Sequence, residues 1–192
     1  MKSPLAIASE LRRLADSVTP DTLEQRFEEM VDLAASFVLH TLEGGAPASQ
    51  VALLMLTAER SHLVFVYPPR LAGGNAFPVN NRSVAGRAIA QGSPLIDNAV
   101  KKGSHYGFYE RVGNVSGISK PIHKMIATPM RTVTGEIVAV AELSRCGDEP
   151  DASGPDFLPE AAERLRMLCD TLAPHLDRVW RAHRRCSSTP KK

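Results

Sequence analysis

Apolar positions along this 192-residue chain recur at helical spacing in some stretches and gather into short continuous runs in others, and the change from one to the other predicts the elements. From residue 4 to 18, Leu5, Ala8, Leu11, Leu14, Ala15 and Val18 recur at helical spacing. Thr19-Pro20 interrupts them and reads as an N-cap followed by proline at the first helical position. A long amphipathic helix is predicted over 20–43, where Leu23, Phe27, Met30, Val31, Ala34, Phe37, Val38, Thr41 and Leu42 keep a three-four rhythm. Gly44-Gly45 supplies its stop. The pattern then shortens to apolar runs at 50–57 and 62–67, two strands joined by the hairpin-length AERS. Pro68-Pro69 ends the second strand, because proline cannot continue a ladder.

SVAGRAIAQ at 83–91 predicts a short helix with a serine cap and Gly92 as its stop, and PLIDNA at 94–99 predicts a third strand. Residues 100–122 have no clear period and mix Gly and Ser with basic and aromatic residues. A loop of that length inside a compact domain is usually functional. Next comes KMIATPMRTVTGEIVAVAELSR, residues 124–145, in which two apolar runs flank the turn Val133-Thr134-Gly135. A polar stretch at 147–156 precedes a final helix that opens at Pro159. Its apolar positions are Leu158, Ala161, Leu165, Leu168, Leu172 and Val179, and His175 is the one break in their order.

Strands joined by tight turns imply a largely antiparallel sheet. The near-continuous apolar runs at 51–56 and 137–143 imply that both of its faces are covered. The expected fold is therefore α+β, with the terminal helices on one face and the short helix plus the 100–122 loop on the other.

Composition narrows the function classes. Hydrophobic residues make up 43% and charged residues 23%, an ordinary globular composition, and the net charge of +2 makes no case for nucleic acid. The basic residues Arg178, Arg181, Arg184, Arg185, Lys191 and Lys192 are concentrated near the C-terminus, in a stretch without acids. Cys146, Cys169 and Cys186 are odd in number and far apart, neither a disulfide framework nor a zinc spacing. The N-terminus lacks a signal-peptide pattern, and no run is long enough for a membrane span. A cytoplasmic protein is the expectation.

SVAGRAIAQGSPLIDN, then MIATPMRTVTGEIVAVAELSR, then FLPEAAERLRMLCDTLAPHL together resemble the GAF domain. This is a family of small-molecule-sensing modules found in cyclic-nucleotide phosphodiesterases, phytochromes and many bacterial signalling proteins. Gly86, Gly92, Asp97, Pro129, Met130 and Gly135 take the positions of its motifs, and the match spans roughly 22–180. The resemblance implies a GAF/PAS-like central antiparallel sheet of five to six strands, with the Pro129 strand and its successor helping to wall a ligand pocket. It implies a domain over 20–180, preceded by a helical extension at 1–19 and followed by a basic, disordered tail at 181–192. Pro129 is expected at an irregular point of its strand, where no ladder donor is lost.

The candidate chemistry favours binding over catalysis. His105 and His123 are not at ligand spacing with a Cys or a carboxylate, so no metal or other cofactor is expected. No cysteine lies between 80 and 125, which disfavours both a covalent bilin and a GAF-type redox enzyme. The family's cyclic-nucleotide pattern fails as well: Arg145-Cys146 stands where Asn-Lys would fall, and Ala161-Ala162 follows Phe157 where Asp-Glu would. The expected ligand-binding residues are Arg87, Asp97, Tyr106, Phe108, Tyr109, Arg111 and Lys120, whose rings and cations suit a planar or anionic small molecule. The expected dimer seam is Leu158, Leu165, Leu168, Leu172 and Val179. The chain is thus expected to be a stand-alone regulatory module, a homodimer that senses a small ligand and signals to a protein partner. The alternative is a ligand-free scaffold for protein contacts.

Overall fold

The computed structural model of the protein describes residues 3–44, 49–72, 74, 76–100 and 120–187. Helix α1 spans Pro4–Asp16 and begins at Ser3, whose hydroxyl accepts from the Ala6 amide. Helix α2 spans Leu23–Glu43 and closes on Gly44 in the left-handed conformation. It starts one turn later than the proline signal predicts. Thr19 and Thr22 hydrogen-bond through their hydroxyls and hold Pro20 in a turn ahead of the helix.

Strands β1 (Ser49–Leu56) and β2 (His62–Tyr67) form the expected hairpin, and Pro68 ends β2. A two-residue strand, β3 (Phe77–Pro78), adds to β2 and was not foreseen, because two residues carry no period. Helix α3 (Val84–Gln91), strand β4 (Leu95–Asp97) and the long strands β5 (Ile122–Arg131) and β6 (Ile137–Cys146) follow. Helix α4 runs from Pro159 to Ser187. Residues 181–187 of the expected disordered tail are therefore helical.

The sheet has six strands in the order β3-β2-β1-β6-β5-β4, and all neighbours are antiparallel. Side chains alternate between its faces. Val51, Leu53, Met55, Ala139, Ala141, Leu143 and Ile126 join α1, α2 and α4 in one core. Ile7, Leu11, Leu14 and Ala15 belong to that core, so the helix expected as an extension packs with the rest. Ala52, Leu54, Leu56, Phe65, Met125, Ala127 and Val140 point the other way and meet Val84, Ala85 and Ala88 of α3.

Pro129 pairs with Val140 of β6, next to a register shift between Met130 and Arg131. The pairing of β4 with β5 ends at Ala127, so the donor that proline lacks costs no β4 hydrogen bond.

One clip ties the layers together. Arg145, at the end of β6, grips Glu43, at the end of α2, through Nε–Oε2 at 2.9 Å and Nη2–Oε1 at 2.7 Å. Their side chains are only 15% and 6% exposed. The same guanidinium donates to the Pro155 carbonyl and lies 4.0 Å from the centroid of the Phe157 ring. Asn98, just after β4, bonds the Phe157 carbonyl and amide at 3.0 and 2.9 Å.

Two substitutions test these contacts. A Cβ at Gly86 would stand 2.0 Å from the Asn80 carbonyl oxygen, so Gly86→Ala is expected to lower stability by about 1–3 kcal/mol in urea unfolding. Arg145→Ala strands a buried carboxylate and is expected to cost about 3–5 kcal/mol. Glu43→Ala added to it is expected to cost far less than the sum of the two single changes, read by a double-mutant cycle.

Candidate functional site

The sheet face opposite the three long helices carries an unusual side chain at its centre. Glu142 is 3% exposed, in the middle of β6. Its neighbours across the ladder are Ala52 of β1 and Ala127 of β5. Strand alternation places it on this face, because Ala141 and Leu143 on either side of it belong to the helix core. A buried ionisable carboxyl is costly unless it is paired, and Glu142 does make an interaction within the chain. The two alanines are its small cross-strand neighbours, and the surrounding protein covers the carboxyl.

Other polar groups share this face. Ser144 is buried two residues along β6, directly opposite Gln50 of β1. The Gln50 Oε1 atom accepts from Nη2 of Arg70 at 3.3 Å, and Arg70 is exposed in the turn after β2. Cys146 lies beyond Ser144 on the same face. Burial pushes its thiol up to about 11, opposed by a hydrogen bond with Ser144 and by the nearby charge of Arg70. The other buried residues on this face are apolar, among them Leu54, Phe65, Leu71, Val84 and Met125, and Asp97 of β4 stands in register with Met125.

Of the residues predicted from the sequence to bind a ligand, Arg87, Asp97 and Lys120 lie among the described residues. Arg87 and Asp97 do meet, at 3.4 Å, but at the β4 edge of the sheet, where each neutralises the other. Asp97 also accepts from the Ala99 amide. Lys120 pairs with Asp148 at 2.7 Å on the exposed surface. Tyr106, Phe108, Tyr109 and Arg111 lie outside the described residues.

The predicted seam is also placed differently. Leu165, Leu168, Leu172 and Val179 are buried in the protein's own helix core, so they have no surface to offer a second copy in this conformation. Only Leu158 is exposed, at 62%, ahead of α4. A stripe that packs on its own sheet has the same three-four spacing as one that packs on another chain.

Glu142 was missed because it sits within a run read as apolar. The available signal was a single acid inside a strand whose apolar neighbours occupy both parities, which marks a charge inside the fold.

A cleft of about 120 Å³ lies between the β1–β2 turn and α4. Its cations serve its own acids: Arg60 and Arg181 both hold Glu136, and Arg181 also holds Asp177. Among the described residues no group of three or more His, Cys, Asp or Glu side chains could hold a metal ion. Nor is any described helix long and apolar enough to cross a membrane.

Solved structures share this arrangement. The GAF domain of a phosphoenolpyruvate-protein phosphotransferase from Acinetobacter aligns over 95% of this chain and 99% of its own, with a TM-score of 0.58 and 11% identity. The GAF domain of the Coxiella burnetii counterpart aligns over 97% of both chains, with a TM-score of 0.59 and 14% identity. The chain has a GAF-domain fold. A free methionine-R-sulfoxide reductase from Neisseria meningitidis, solved with its substrate, shares that fold over 93% of this chain and 91% of its own, with a TM-score of 0.53 and 16% identity. No protein-family model matches the sequence, and no curated protein matches it. The GAF fold thus occurs here at identities that speak for architecture alone.

The buried thiols yield a direct test. Cys169 is enclosed in the helix core, where burial also pushes its thiol up. Thiolates are the reactive form. Iodoacetamide at neutral pH is expected to leave Cys146 and Cys169 unmodified in the folded protein and to alkylate both in urea, as read by peptide mass mapping.

Proposed function

We propose that the protein is a non-enzymatic regulatory module that binds a small molecule on the Glu142 face of its sheet and signals through its helix layer as a homodimer. The observation that carries this reading is the polar set of Glu142, Ser144, Gln50 and Arg70 on a face whose other buried residues are apolar. An apolar wall with a few convergent polar groups is the usual composition of a small-molecule site. Structures with the same fold include GAF domains of phosphotransferase proteins and part of a methyl-accepting chemotaxis protein, which supports a regulatory role. Two sulfoxide reductases share the fold as well. The burial of Cys146 and Cys169, with their protonated forms favoured, supports binding without thiol chemistry here.

The route from site to surface is short. Glu142 faces the ligand side, while Ala141 and Leu143 of the same strand touch the helix core. A ligand that prefers one setting of β6 therefore biases the packing of α2 and α4. Self-association is supported by the outer side of this layer. Asp16 meets Arg178, and Arg12 acts on His175, so α1 and α4 run parallel. Leu5 of α1 and Met167 of α4 are 78% and 59% exposed, two apolar side chains left outside the core of this layer.

Native mass spectrometry of the purified protein tests both halves. A dimer with a retained small molecule is the expected result. Leu5→Glu with Met167→Glu is expected to convert it to a monomer without lowering the melting temperature. A bare dimer would favour a ligand-free scaffold, and a monomeric native protein would overturn the helix-layer reading.

A further inference from the structure

We propose that the cleft between the β1–β2 turn and α4 is a separate binding site, one for a small tetrahedral oxyanion of the phosphate class. No residue of the Glu142 set lines it, so this inference stands independently of the binding reading above. The wall of the cleft is rich in guanidinium. Arg60 comes from the β1–β2 turn, while Arg181 and Arg184 come from α4. Against these three cations stand two acids, Glu136 and Asp177, so the cleft keeps a unit of positive charge with every pair formed. Excess charge of one sign around a small concavity raises the local concentration of the opposite ion.

Arg60 carries the argument furthest. Its φ of 59° lies in the left-handed region, where glycine or asparagine is the cheaper choice. A costly backbone conformation kept for a long cationic residue points to a use for its head group. That head group donates from Nη1 to the Glu136 carboxylate and from Nη2 to the Ile137 carbonyl, the latter at 2.9 Å. A guanidinium has five N–H donors, so these two bonds leave others for a ligand. The Arg60 side chain is 48% exposed, which keeps those donors within reach of solvent.

The space and the directions of approach narrow the class. The cleft holds about 120 Å³ that no side chain fills. Sites for whole organic ligands commonly exceed roughly 300 Å³, so this one takes a single small group. Glu136 already spans the two walls, since it accepts from Arg60 and, at 2.9 Å, from Nη2 of Arg181. The turn and the helix therefore converge closely enough for one anionic group to bridge them. A carboxylate presents its two oxygens in one plane and suits a single fork. Four tetrahedral oxygens meet guanidinium groups on both walls at once. Trp180 also lines the cleft, but its indole N–H is committed to the Leu56 carbonyl at 2.9 Å, so it adds an apolar wall and not another donor.

Differential scanning fluorimetry of the full chain tests the assignment, with inorganic phosphate, methyl phosphate, acetate and chloride compared at equal ionic strength. Inorganic or methyl phosphate is expected to raise the melting temperature, while acetate and chloride do not. A larger rise with methyl phosphate assigns the site to a phosphate monoester, and a larger rise with inorganic phosphate assigns it to the free anion. Arg60→Asn, which suits the left-handed turn, and Arg184→Gln are each expected to weaken phosphate by about tenfold, measured by titration calorimetry. The two changes lie on different elements, so one remains informative if the other disturbs folding. An equal rise with acetate or chloride, no rise with either phosphate, or phosphate binding unchanged in both variants would overturn the site. None of these outcomes bears on the Glu142 face, so the two readings fail separately.

Discussion

Strand β6 is hydrogen-bonded on both edges and covered on both faces, and the rest of the molecule is arranged around that constraint. A strand so enclosed has no solvent side, so each of its residues must suit one of two interiors. Odd positions from Ala139 to Leu143 feed the helix core. Even positions from Val140 to Ser144 feed the other face, where polarity rises along the strand from Val140 to Glu142 and Ser144. One short segment thereby carries both the packing of the helix core and the buried polar groups of the opposite face.

The end of β6 has a different task. Arg145 gathers α2, the 155–157 segment and, through Phe157 and Asn98, the end of β4. Its partner Glu43 also accepts from Ser49 at the start of β1. The pair resists solvent because it is enclosed and bidentate, unlike the exposed pairs on α4, which contribute little. With the helices clipped to the rim of the sheet, the two layers move together and not independently.

Much of this architecture was legible in the residues, and the failures share one cause. Helices α1, α2 and α4 follow from a period of 3.6 that extends over enough residues to be counted, and the β1–β2 and β5–β6 hairpins follow from paired apolar runs joined by short polar turns. Strand β3 is too short to count. Glu142 escaped because a residue's significance there depends on its cross-strand neighbours, Ala52 and Ala127, which are remote in sequence. Arg87 and Asp97, expected to meet a ligand, pair with each other at the sheet edge, a contact that spacing alone does not reveal. The α4 stripe was real but faced inward. Period reports that a face is apolar, and only the fold says what covers it.

The alternation of β6 has a further consequence, for the alignment of the sheet itself. A slip of β6 by one residue against β1 and β5 would swing Glu142 out of its alanine-flanked place and into the helix core, among side chains such as Val38 and Leu172. Nothing in an apolar run of Val and Ala would otherwise punish such a slip strongly, since either neighbour fits either side. The buried carboxyl makes the misaligned sheet expensive, at the several kcal/mol that an uncompensated polar group costs in hydrocarbon. The buried carboxyl at the centre of β6 thus proofreads the register in which the protein folds.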